Sequence, residues 1–131
     1  MTRSLILMIA FSLALVVNAN AQTEKPAMKK FWFVLLKDGT NKDTSNIAAV
    51  RKSHFANIER MSKLGILKVA GPFDKNDQHL RGIFIIDAEN KERVIQELQG
   101  DEAISKNHLV AEILEWWTMT TGSFADGLKG K

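Results

Sequence analysis

Four short apolar runs along the chain have the character of β-strands. They cover residues 31–36, 66–70, 82–86 and 111–119 and are rich in aromatic and β-branched side chains. Residues with turn chemistry, mostly Asp, Asn, Gly and Pro, separate the runs. The second and third runs are close enough along the chain to predict a β-hairpin, with a polar turn at residues 74–78.

Two segments between these strands have the spacing of amphipathic helices. The first has apolar positions three and four residues apart, with Thr44 or Ser45 as the predicted N-cap and Gly65 as the stop. Its inward positions are Ile47, Val50, His54, Ile58 and Met61. The second helix begins at an Asn90 cap, buries Val94, Ile95 and Leu98, and ends at Gly100.

The order of these elements, βαββαβ, is that of the ferredoxin-like fold. It predicts an α+β protein in which two helices cover one face of a four-stranded antiparallel sheet. Both faces of the first strand are apolar, because Phe31 and Phe33 alternate with Trp32 and Val34, and the last strand repeats the pattern. We therefore expect a second copy of the chain to cover the open face as a homodimer. The alternative is a monomer whose C-terminal tail partly covers that face.

The first residues predict an exported protein. Arg3, an apolar run over residues 5–17 and the small residues Ala19 and Ala21 form the three parts of a signal peptide, residues 1–21. The run is too short to favour a membrane anchor. We expect a periplasmic or secreted protein, not bound to a membrane after cleavage. Residues 22–30 are predicted as a flexible lead-in and residues 120–131 as a flexible tail.

Composition narrows the chemistry. The chain has 131 residues and no cysteine, which excludes disulfides, thiolate metal sites and cysteine nucleophiles. Its formal charge of +3 comes from charges scattered along the chain, so nucleic-acid binding is not predicted. No phosphate-binding loop or serine-nucleophile motif is present.

His54 is the strongest candidate for chemistry. It lies on the inward stripe of the first predicted helix, where an imidazole needs a hydrogen-bond partner. Asp101 directly follows the end of the second helix, and side-by-side helices would bring it near His54. A carboxylate on an imidazole fixes the tautomer and favours a general base. Two alternatives stay open: a structural His54 inside the core, and an Asp101 that caps a short turn.

The chain resembles the YCII-related family. The similarity lies in residues 33–39, FVLLKDG, in His54, and in Gly65, Gly71-Pro72, Gly82 and Asp101. It implies a domain over residues 31–119 with the dimeric α+β barrel form of the ferredoxin-like fold, and a catalytic pair at His54 and Asp101. The chain departs from the family at Glu102, where proline is usual, and at Asn107-His108, where glycine is frequent.

Related families imply proton transfer on small aromatic or enol-like substrates. Some of them degrade haem, but the resemblance is to the branch without haem, so neither a metal nor an organic cofactor is expected. Gly71 and Pro72 are expected at the substrate pocket, although a glycine-proline turn also needs no function. An aromatic wall is expected from Phe33, Phe84 or Trp117. His79 and His108 lack a third ligand at suitable spacing, so no zinc site is predicted.

Two interpretations of function remain. The first is a cofactor-independent enzyme of the isomerase or lyase type that uses His54 and Asp101 for acid–base chemistry. The second is a non-catalytic homodimer that binds a small molecule or has an accessory role, with a structural His54. Loss of turnover without loss of stability after His54→Ala would separate them.

Overall fold

The computed structural model describes residues 27–119. The predicted signal peptide, residues 22–26 of the lead-in and the tail at residues 120–131 lie outside this part of the chain. The described elements are β1 (Met28–Asp38), α1 (Ile47–Lys63), β2 (Leu67–Pro72), β3 (Leu80–Ile86), α2 (Lys91–Leu98), α3 (Glu102–Ser105) and β4 (Leu109–Met119).

The four strands form one sheet in the order β2-β3-β1-β4, with every neighbouring pair antiparallel. This is the ferredoxin-like topology, and the predicted fold class is confirmed. β1 is an inner strand: it pairs with β3 on one side and, on the other, with β4 from Met28↔Met119 to Asp38↔Leu109. The edges of the sheet are β2 and β4.

The strands extend beyond their predicted bounds. β1 begins at Met28, so residues 28–30 belong to the sheet and not to a flexible lead-in. Gly71 and Pro72, predicted to end the second strand, are part of β2. The ends of these strands contain polar residues that pair with neighbouring segments: Lys29, for example, donates to Asp87 at 2.6 Å. Apolar patterning does not mark such ends.

The first helix starts differently from the prediction. Neither Thr44 nor Ser45 caps it: Asn46 holds the N-cap position and no side chain donates or accepts a cap bond there. Thr44 supplies only its carbonyl, which accepts the Ile47 N–H at 3.2 Å. The C-terminal end is as predicted, because Gly65 has φ of 73°, a left-handed conformation that glycine adopts without strain.

The second helix begins as predicted, since the Asn90 side chain accepts the Arg93 N–H at 2.8 Å. It ends at Leu98, two residues before the predicted stop at Gly100, and the short helix α3 follows. Among residues 27–119, no helix is long and apolar enough to cross a membrane.

The core lies between the sheet and the helices. Alternate residues of β1 point into it and are buried, with partners on β3, α1 and α2. The core is formed by Trp32, Val34, Leu36, Met61, Phe84, Ile86, Val94 and Leu98. The indole N–H of Trp32 donates to the Ala88 carbonyl at 3.0 Å, so this buried ring has its polar atom satisfied.

The opposite side of the sheet, which we call the bare face, is also apolar. Strand register places its residues together and away from both helices. They are Phe31, Phe33, Leu35, Val69, Ile83, Ile85, Leu114 and Trp116. Trp116 contacts Phe31 and Phe33, with ring centroids 6.4 Å apart in each pair.

A buried polar cluster joins α1 to α2. Glu97 is buried and pairs with Arg60 and with Arg93, each at 2.6 Å. The Asn57 amide donates to the Glu97 carbonyl at 3.0 Å and accepts from Arg60. Because these bonds fix the end of α2 against the middle of α1, they also fix the position of residue 101, which follows.

Candidate functional site

His54 and Asp101 lie in contact. The imidazole Nδ1 is 2.5 Å from Asp101 Oδ2, across 47 residues of sequence. Asp101 is fully buried, whereas the His54 side chain keeps 19% of its surface exposed. The carboxylate is therefore shielded from water, whereas the imidazole in contact with it is partly exposed. A buried carboxylate in this position orients a histidine for proton transfer.

Asp101 has a second role in the backbone. Its other oxygen, Oδ1, accepts the Ala103 N–H at 2.9 Å and caps α3. Ser53, the neighbour of His54, accepts the Glu102 N–H at 3.2 Å and donates to the Gly100 carbonyl at 3.4 Å. The sequence offered two alternatives for Asp101, a partner of the histidine and a helix cap. The structure shows both contacts at once: Oδ2 contacts His54 and Oδ1 caps α3.

The His54 ring is held between aromatic side chains. It stacks on Phe84 with centroids 6.1 Å apart and planes at 28°. Phe55 meets it edge-on at 5.6 Å. With Nδ1 taken by Asp101, the ring has only Nε2 left for another molecule, and no group in residues 27–119 hydrogen-bonds to Nε2.

An apolar cavity of about 270 Å³ opens beside His54. It lies just below the roughly 300–1,000 Å³ usual for small-molecule sites. Gly71 and Pro72, the predicted pocket residues, line this cavity together with His54. Its other apolar walls include Phe55, Ile58, Ala70 and Phe84.

The cavity floor depends on a glycine in β3. A Cβ added at Gly82 would be 2.7 Å from the Gly71 carbonyl oxygen, a distance that real side chains do not tolerate. Gly82 therefore allows β2 and β3 to approach closely at the edge of the cavity.

A second cavity of about 540 Å³ adjoins the first, and we call it the polar cavity because several charged side chains border it. His54, Arg81 and Leu109 line both cavities, so the two meet at the imidazole. The polar half is bordered by the N-terminal part of α1 and the loop before it, including Lys42, Asp43 and Arg51. We call the two cavities together the cleft.

Ion pairs organise the polar half. Arg81 donates to both carboxyl oxygens of Asp38, at 2.5 and 2.9 Å. The hydrogen bonds from Arg81 hold the pKa of Asp38 below its usual value, against the opposing effect of burial, and the charges of Arg81 and Lys42 lower it further. The Ser45 N–H, at 2.8 Å, likewise lowers the pKa of Asp43. Both carboxylates thus stay ionised at neutral pH.

Comparison with protein-family models and with curated proteins finds no match. Among solved structures, the chain is similar to 5-chloro-2-hydroxyhydroquinone dehydrochlorinase (TftG) from Burkholderia phenoliruptrix, in complex with 2,5-dihydroxybenzoquinone. The sequence identity is 16%, the TM-score is 0.47, and the likeness covers 65% of this chain and 92% of that one. An identity this low transfers no residue's role to this chain.

Of the three aromatic residues expected near the substrate, the structure brings only Phe84 to the cleft. Phe33 lies on the bare face, because it is one residue out of phase with Val34. Trp117 lies near the other end of β4, opposite Lys30, and is 56% exposed. The alternation of side chains along a strand predicts which face of the sheet each residue lies on. It does not indicate which end of the sheet borders a cavity.

The two remaining histidines lie apart from His54's carboxylate. His79 is in the hairpin loop and is 3.4 Å from Asp38. His108 borders the polar cavity, with Nε2 3.4 Å from the Asn41 amide nitrogen. Within residues 27–119 no three His, Asp or Glu side chains are grouped as metal ligands.

Three residues of the cleft were not predicted from the sequence. Arg51 is exposed on α1, and it borders the polar cavity three residues before His54. Phe55 borders the apolar cavity and Arg81 borders both. The available signal was the helical spacing of Arg51, His54 and Ile58, which places them on neighbouring parts of one helix surface.

Proposed function

We propose that this protein is a cofactor-independent enzyme that transfers protons on a small molecule bound in the cleft, with His54 as the acid–base residue. The observation that carries the proposal is the 2.5 Å contact between His54 Nδ1 and the buried carboxylate of Asp101. An ionised carboxylate only accepts hydrogen bonds, so the ring proton lies on Nδ1. Nε2 then keeps its lone pair on the cleft side.

The reaction follows from that tautomer. Nε2 removes a proton from an acidic C–H or phenolic O–H of the substrate, leaving an enolate or phenolate and an imidazolium. Asp101 stabilises the imidazolium that forms. Return of the same proton to a different substrate atom completes an isomerisation. Loss of a leaving group from the anion completes an elimination instead, and solvent then takes up the proton from His54.

Phe55 and Phe84 support this assignment in two ways. They hold the imidazole plane by stacking and edge contact, and they give the cleft an apolar wall suited to a ring. Exclusion of water beside the imidazole strengthens its interaction with the developing anion. Asp101 is a positioning residue, since its oxygens are occupied by His54 and Ala103.

The test is hydrogen–deuterium exchange at carbon. The full chain is incubated in D₂O with a panel of small enol lactones, and substrate C–H signals are followed by ¹H NMR. We expect exchange or isomerisation with the native chain that falls by about 10²–10⁴-fold in His54→Gln, the usual contribution of a general base.

Ser105→Ala is the matched control, because Ser105 is exposed at the end of α3 and borders neither cavity. Exchange that is equal in the native chain and His54→Gln would contradict an acid–base role.

A second candidate function is a binding protein in which His54 is structural. The observation that favours it is the partial burial of the ring between two phenylalanines. In that case His54→Ala lowers the free energy of unfolding by about 1–3 kcal/mol, since Asp101 loses a partner, and no probe is turned over.

We also propose that the chain is exported and acts as a homodimer. The signal-peptide pattern of residues 1–21 supports export to the periplasm or exterior. The bare face supports self-association, because two apolar sheets pack face to face and a two-fold axis lets one surface cover its own copy. Helices and cleft lie on the other side of the sheet, so this arrangement leaves the cleft accessible.

A further inference from the structure

The charges of the cleft are unevenly distributed. Its apolar half has no carboxylate, and its polar half has three cationic side chains, Lys42, Arg51 and Arg81, against two carboxylates, Asp38 and Asp43. Both carboxylates are already engaged, Asp38 by Arg81 and Asp43 by the Ser45 N–H. Without counting histidines, the polar half therefore has one positive charge in excess.

Arg51 is the cation left without a partner. Arg81 is neutralised by Asp38, and Lys42 donates to the Gly39 carbonyl at 2.7 Å. Arg51 makes no hydrogen bond or ion pair with any group in residues 27–119. Its guanidinium presents five donors in a planar fork, which matches a carboxylate in two parallel hydrogen bonds.

Arg51 and His54 project from the same side of α1. Residues three apart on a helix are neighbours on its surface, and both of these line the polar cavity. On the other side of the imidazole lie Phe55, Ile58 and Phe84. A molecule with an acid group at one end and an apolar body at the other would therefore span His54.

We propose that the substrate is a small organic acid, with its carboxylate bound by Arg51 and its ring or hydrocarbon part in the apolar half. This rests on the proposed function and specifies its substrate class. The carboxylate anchors the molecule at one end, so the atom to be deprotonated is held against His54 Nε2. The acid group also accounts for the guanidinium at the cleft that has no partner within residues 27–119.

Binding of benzoate and benzamide to the full chain tests the charge requirement. The two probes share a planar ring and differ in charge. We expect benzoate to shift the NMR signals of the Phe55 and Phe84 rings and of the Arg51 side-chain N–H in a saturable way. Benzamide should bind at least tenfold more weakly, since hydrogen bonds between charged groups are the stronger ones. Equal affinity for both probes, or no saturable shift with benzoate, overturns the proposal.

Two neighbouring substitutions locate the anchor. Arg51→Gln should lower benzoate affinity about tenfold, to the level of benzamide, and Arg51→Lys should restore part of it. Lys52→Gln removes the same charge from the adjacent helix position, and Lys52 borders neither cavity, so affinity should stay unchanged. Equal losses in Arg51→Gln and Lys52→Gln would show a general charge effect and overturn the assignment.

The experiments distinguish failure of the organic-acid proposal from failure of the proposed enzymatic function. Charge-dependent benzoate binding through Arg51, combined with no exchange activity dependent on His54, supports the acid site and refutes the enzyme. His54-dependent exchange on neutral lactones, with no preference for benzoate, supports the enzyme and refutes the acid site.

Discussion

Asp101 shows how one side chain can bond both the backbone and a histidine ring. Its carboxylate has two oxygens and two partners, the Ala103 N–H and the His54 ring. The buried position makes each bond costly to lose, because an unsatisfied buried polar group costs about 1–3 kcal/mol. We therefore expect a substitution at Asp101 to affect His54 differently according to whether it replaces Oδ1 or Oδ2.

The substitution Asp101→Asn should reverse the His54 tautomer. The Ala103 N–H needs an acceptor, so the amide oxygen stays on that side and the amide N–H₂ faces Nδ1. Nδ1 must then accept, which moves the ring proton to Nε2. We expect ¹⁵N shifts to report protonated Nδ1 in the native chain and protonated Nε2 in the variant.

Proton transfer should fall by about 10²–10⁴-fold in the same variant, because Nε2 no longer has a free lone pair. Near-native far-ultraviolet circular dichroism is the control for folding. A native ring already protonated on Nε2 would contradict the proposed mechanism.

Asp38 gives a prediction about pH. Its pKa is lowered in the folded protein by Arg81, so its ionised form stabilises the fold above the unfolded-state pKa of about 3.9. That contribution is lost as pH falls through the lower, folded-state pKa. The stability difference between the native chain and Asp38→Asn should be constant at about pH 5 and shrink below about pH 4, as measured by urea unfolding.

Asp77→Asn is the control, because Asp77 lies in the same hairpin loop and forms no ion pair within residues 27–119. A difference that grows on acidification would mean that Asp38 is not stabilised by its charge.

At the scale of the elements, much of the fold could be predicted from the sequence. Alternating and continuous apolar runs predict the strands, and glycine predicts the end of α1 correctly. The helix spacing and the stop at Gly100 were enough to expect that Asp101 approaches His54. The start of α1 was wrong because local cap chemistry offered several residues, and the structure uses none of their side chains.

The cleft could be predicted only in part. Arg51 looks like a solvated residue by its position on α1, and Arg81 looks like the end of a hairpin. They meet at the cleft because the start of β3 lies beside the first half of α1, and that distance depends on how the helices pack on the sheet. Local patterns do not contain that information.

Two glycine substitutions at the β2–β3 edge should have opposite outcomes. Gly82→Ala puts a methyl group 2.7 Å from the Gly71 carbonyl, so the strands must separate, at a cost of about 1–3 kcal/mol. Gly71→Ala meets no atom within 4 Å and has no unusual φ. It should leave stability unchanged or raise it slightly. Thermal unfolding measures both, and equal losses would contradict the close-approach argument.

At the scale of the whole molecule, the bare face is the surface through which we propose that the chain self-associates. We expect the native chain to sediment as a dimer and Leu114→Lys to sediment as a folded monomer, whose unfolding temperature falls only by the stabilisation that dimerisation gives the native chain. Leu114 is 45% exposed, so lysine costs little in the isolated subunit but would bury a charge in the dimer.

Leu64→Lys is the matched control, because Leu64 is 53% exposed at the end of α1 and away from the sheet. It should remain dimeric. A native chain that is monomeric at every concentration would contradict self-association through the bare face.

The three tryptophans make the protein its own optical probe. The chain has no tyrosine, so its near-ultraviolet fluorescence comes from Trp32, Trp116 and Trp117 alone. Trp32 is enclosed in the core and Trp117 faces solvent, whereas Trp116 lies on the bare face. Dilution should therefore redden only the Trp116 emission, and unfolding should redden Trp32 as well. A single fluorescence measurement could thus distinguish dissociation of the dimer from unfolding of the subunit.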